Sequence, residues 1–158
     1  MIPQQELDQA MRTMKGIWAA LVLSLLVYAV LVPLLLDDTH IDFPADVYRL
    51  LKLILFALAI VTLIASWGVR RLLLARSLVP KTTGRTTPHP AIQRYTTAMI
   101  MALAMSEAIG IYGLILFLLG KQKVDLYLLV AIAMAAMVLF APKREEVMRL
   151  AELFAAGA

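Results

Sequence analysis

Cysteine is absent from the 158 residues, and histidine occurs only at His40 and His89. The first absence excludes disulfide staples, thiolate metal sites and cysteine nucleophiles together, and leaves the redox compartment open. The two histidines lie in polar connections beside prolines and threonines, where a solvated loop side chain is the expectation. Neither is assigned to metal binding or catalysis. Charge is thin as well, at 16% of the chain against roughly 25% in soluble domains. What fills the chain instead is apolar surface. Hydrophobic residues make up 62% and the mean hydropathy is +0.84, far above the roughly 45–50% apolar content of an ordinary soluble domain. A polytopic membrane protein follows, with no room for a separate extramembrane enzyme domain. Without paired carboxylates, a nucleophile with its base, or a metal cluster, the chain is not expected to be an enzyme or to hold a cofactor.

Four apolar runs can be set against the roughly 20 residues that a helix needs to cross the hydrocarbon. They cover residues 17–36, 53–69, 95–120 and 126–141. The last is short, but Lys121 and Lys123 before it and Lys143 and Arg144 after it can snorkel to the interface. Glu6 and Asp8 interrupt the N-terminal region and the following run is too long for a signal peptide, so this run is expected to stay as an anchor. Leu7, Met11 and Met14 recur at helical spacing, which places the helix start near Pro3 or Gln4. After Pro142, the stretch 143–156 sets Val147, Leu150, Ala151, Leu153 and Phe154 on one face and charges on the other, as in a helix lying at an interface. The expected fold is therefore all-α: one integral membrane domain over 1–158, a four-helix transmembrane bundle with a C-terminal amphipathic helix.

Lysine and arginine counts orient it. Two lie before the first span, six in the second connection and three in the tail, eleven in all, against two in each of the other connections. The positive-inside rule then puts both termini in the cytoplasm, most simply of a bacterial inner (plasma) membrane. The second connection, 77–90, is rich in threonine and proline and reads as an extended basic tether. Its G-R-T run lacks the spacing of a phosphate-binding loop. The net charge of +4 flanks apolar runs, so the bilayer and its anionic headgroups explain it without nucleic acid.

Glu107 lies near the middle of the third run, which is otherwise free of charge from Tyr95 to Gly120. A carboxylate at bilayer depth is costly and marks a function by default. No basic side chain lies in any of the four cores to pair with it. The neutral form is favoured in apolar surroundings, so two roles are open: a protonated hydrogen-bond donor locking helices, or a carrier that exchanges its proton. Ala98, Ala102, Ser106 and Gly110 recur every four residues and Gly113 follows, a small-residue stripe that permits close approach of another helix. Glu107 borders this stripe, and Tyr112 stands five positions on. Ser24, Thr62 and Ser66, the hydroxyls of the first two spans, are expected to bond back to their own helix carbonyls.

The run S-E-A-I-G-I-Y-G-L-I-L, Ser106 to Leu116, resembles the ion-binding helix of the proteolipid (c-type) subunits of rotary ATP synthases and vacuolar-type ATPases. The likeness covers about 20 residues of the chain. It implies that Glu107 is the ion-binding carboxylate, Ala108 the small residue after it and Tyr112 the hydroxyl that holds the carboxyl, with proton coupling implied by the alanine. The family's glycine-rich companion helix has no counterpart here, since the second span carries a single glycine among bulky residues. The leading expectation is thus a noncatalytic scaffold or accessory subunit with a protonated mid-membrane Glu107. The alternative is a proton-exchanging, proteolipid-like subunit of an ion-translocating oligomer. The expected partners are the lipid bilayer and, through the third span, a second copy or another membrane protein.

Overall fold

The computed structural model of the chain describes residues 3–36, 44–75 and 89–156. His40 and residues 77–88 of the polar connection lie outside them. Every element among the described residues is helical: α1 Gln4–Leu36, α2 Ala45–Ala75, α3 Pro90–Gly120, α4 Lys123–Leu139 and α5 Arg144–Ala156. The first three are long and apolar enough to cross a membrane. At about 1.5 Å per residue, 31 residues of α3 extend well beyond a roughly 30 Å hydrocarbon layer. α4 has 17 residues and turns into α5 through a 52° bend.

Local chemistry explains the ends. Leu7, Met11 and Met14 are buried along the first turns of α1, which is why the helix begins at Gln4 rather than at the apolar run. α3 starts at Pro90, five residues before its apolar run, because proline's missing N–H and fixed φ suit the first helical position. His89 caps it, with Nδ1 accepting from the Ala91 N–H at 3.3 Å. At the far end Lys121 takes the left-handed conformation, φ 53°, and its N–H donates to Phe117 O at 2.8 Å. That closes α3 and sends the chain back as α4.

α3 is the hub. It packs against α1, α2, α4 and α5, and 44% of its most apolar window is buried, against 11% in α1 and 17% in α2. The small-residue stripe makes this possible. Ala98, Ala102 and Ser106 are fully or almost fully covered. A Cβ on Gly110 would stand 2.3 Å from Leu25 Cδ2 of α1, and one on Gly113 would stand 3.2 Å from Leu126 O of α4. The stripe thus receives helices of the same chain. α1 and α2 turn most of their leucines, isoleucines and valines outward, for example Leu34, Leu53 and Ile64, as lipid-facing helices do.

α5 is more than a surface anchor. Val147 and Leu150 of its apolar face join the common core, whereas Leu153 points out. Three polar links hold it: Arg70 Nη2 of α2 to Glu146 Oε2 at 2.7 Å, Arg144 Nη1 to Asp8 Oδ1 of α1 at 3.2 Å, and the Lys143 N–H donating to the Tyr95 hydroxyl of α3 at 3.0 Å. α5 straps the first three helices together at one end of the bundle.

Candidate functional site

Glu107 is carried twelve residues past Tyr95 on α3, about 18 Å along the axis, and is partly buried. Its hydrogen-bond partner comes from α1. Ser24 Oγ lies 2.7 Å from Glu107 Oε1 and, at the same time, 2.7 Å from Leu21 O in its own helix. A serine hydroxyl has one proton to give. Ser24 therefore shares that one proton between the Leu21 carbonyl and Glu107 Oε1, or gives it to one of them. Glu107 makes no ion pair among the described residues.

The neighbours expected to serve Glu107 are otherwise engaged. Ser106 Oγ is buried and donates to Ala102 O at 2.9 Å, within α3. Tyr112 is partly buried and makes no hydrogen bond to the carboxyl, because five positions along a helix turn it about 140° away. Gly110 does sit beside the site, with Leu25, next to Ser24, filling the space above it, whereas Gly113 faces Leu126 and Leu129 of α4. Close approach at glycine is what brings the α1 hydroxyl within reach of α3. Ser24 and Ser66 also bond to their own helices, through Leu21 O and Leu63 O at 2.7 and 2.8 Å.

A second buried acid was not anticipated. Asp125, in the first turn of α4, is 3% exposed. Lys52 Nζ of α2 lies 2.8 Å from its Oδ1, and the Tyr48 hydroxyl donates to Oδ2 at 2.7 Å. Gly120 makes room for Tyr48: a Cβ there would fall 2.1 Å from the ring. Lys52 keeps 39% of its side chain exposed, so the ammonium remains hydrated while it neutralises the acid. The signal was present in the sequence, since Lys52 and Asp125 stand one residue before the apolar cores of the second and fourth runs. α2 and α4 both start at this end of the bundle, which brings the two opposite charges together.

Compared with family models, curated proteins and solved structures, the chain matches none. One carboxyl at mid-depth has a hydroxyl partner and no cation, and one at the bundle's end has both.

Proposed function

We propose that this chain is a four-span, noncatalytic scaffold or accessory subunit of a bacterial inner membrane, in which protonated Glu107 fastens α3 to α1. In this reading α4 provides the fourth crossing, at about 26 Å with lysines at its entry, and both termini face the cytoplasm, an orientation that the distribution of basic residues supports. The observation that carries the reading is Ser24 Oγ at 2.7 Å from both Leu21 O and Glu107 Oε1. Only a proton on Glu107 gives each contact its own hydrogen. An interhelical bond of this kind adds about 1 kcal/mol and fixes the register of two helices. A rigid helical unit with apolar outer faces suits a subunit that others pack against.

One observation favours the alternative, a proton-exchanging proteolipid-like subunit: Glu107 is partly exposed rather than sealed. Glu107→Gln separates the two. Glutamine keeps a donor toward Ser24, so a scaffold retains its stability, its oligomer size and its inert proton permeability in liposomes. Intact size with abolished proton flux would instead make Glu107 a carrier. Carbodiimide labelling in lipid across pH gives an independent reading, with exchange marked by labelling that slows as the carboxyl ionises and a sealed lock by no labelling at any pH.

A further inference from the structure

Where α5 crosses the end of α2, the two helices enclose a groove of about 350 Å³ lined by Trp67, Arg71, Leu74, Arg149 and Leu153, with Arg70 and Glu146 in its wall. Three arginines against one glutamate leave it with two net positive charges. Arg70 is committed to the wall, paired to Glu146 at 2.7 Å and stacked 5.3 Å over Phe140. Its buried Nε has no acceptor. Arg71 and Arg149 are exposed and make no hydrogen bond or ion pair among the described residues; Arg71 lies 4.9 Å over the Trp67 ring. Two guanidinium forks therefore face the groove with their donors unused, and such forks match phosphate oxygens in pairs.

The groove is also continuous with an apolar track. Leu53, Ile60, Ile64, Trp67, Arg71 and Leu74 succeed one another at intervals of three, four or seven residues, so they share one face of α2. Ile60, Ile64 and Trp67 are each about 60% exposed or more. A tryptophan between an apolar face and an arginine pair is the arrangement found where a helix leaves the hydrocarbon for the headgroups. A soluble phosphate would use the arginines and leave the track bare. An anionic phospholipid would use both.

We infer that the groove between α2 and α5 binds one anionic glycerophospholipid, with its phosphate between Arg71 and Arg149 and an acyl chain along the α2 track. The site needs neither Glu107 nor a choice of membrane side. Binding would brace α5 against α2 in addition to the Arg70–Glu146 pair.

Native mass spectrometry of the purified full chain in nonionic detergent, with phosphatidylglycerol, phosphatidylcholine or inorganic phosphate added, tests it. The expected result is one retained phosphatidylglycerol per chain, favoured over phosphatidylcholine by about tenfold. The Arg71→Gln/Arg149→Gln chain loses retention by roughly tenfold or more, the worth of two basic residues at an anionic surface. Both side chains are exposed, and unchanged helicity by circular dichroism shows that the variant is folded. Arg12→Gln/Lys15→Gln, an equal loss of charge on exposed positions of α1, leaves retention unchanged. Equal retention of the two lipids, undiminished retention in the folded double variant, or displacement by millimolar inorganic phosphate overturns the assignment. So does a dimer that covers the α2 face and excludes lipid.

Discussion

Asp125 and Glu107 are both carboxyl groups inside one helical bundle, yet their surroundings have little in common. Asp125 has a cation and a phenol, at 2.8 and 2.7 Å, and is almost completely hidden. Glu107 has one serine hydroxyl that is shared with a backbone carbonyl. The difference teaches where charge can be kept. At the bundle's end a lysine can stay partly in water while it neutralises an acid, so ionisation is compensated. At mid-depth no cation pairs with the acid among the described residues, and its partner is a hydroxyl from the neighbouring helix.

The contrast can be broken most severely at Asp125. Asp125→Leu strands the Lys52 ammonium and the Tyr48 hydroxyl; the expected loss is about 3 kcal/mol, at the lower end for a broken buried pair because Lys52 can rehydrate. Equilibrium unfolding in mixed micelles measures it, and a loss under about 0.5 kcal/mol would reduce the cluster to decoration. Gly120→Ala comes next, at about 2 kcal/mol. The added methyl drives the Tyr48 ring off Asp125, and combining it with Tyr48→Ala should recover part of the loss. Additive effects in that double-mutant cycle would separate the glycine from the cluster.

The smaller effects lie at mid-depth. Ser24→Ala removes the partner that Glu107 has among the described residues and should lower stability by about 1 kcal/mol. If Glu107 were held by another group, the same unfolding assay would register almost nothing. Glu107→Gln should change stability by less than about 0.5 kcal/mol, since the amide still donates to Ser24. A loss as large as that at Asp125 would mean that the carboxyl is ionised and paired in the native state.

Much of this arrangement was legible in the residues. Three long apolar runs became three long helices, and Leu7, Met11 and Met14 marked the start of α1 because a buried helical stripe has to repeat every three to four positions. The small residues beside Glu107 marked α3 as the helix that others approach. What the sequence left open is which helix does the approaching. Ser24 satisfies its own backbone like any serine in a membrane helix, and nothing local says that α1 rather than α2 brings it to α3. Asp125 is hidden in the sequence for a different reason: a charge at the border of an apolar run looks like an interfacial residue until its counterpart on another run is placed beside it. For α5 the amphipathic pattern was visible, but its apolar face suits a membrane surface and a protein surface equally, and Val147 and Leu150 chose the protein.

The central place of α3 bears on the order in which the chain can assemble. α1 and α2 precede α3 in the chain, and each makes its principal contacts with α3 or beyond. Until α3 inserts, the Leu25 side chain has no Gly110 to cover and Ser24 has no Glu107 to meet. The first two helices must therefore wait in the bilayer as separate solutes, and the third, once threaded in, gathers both along with the helix that follows. A chain cut after α2 would yield two inserted helices without a fold, whereas synthesis past Gly120 makes the first tertiary contacts available.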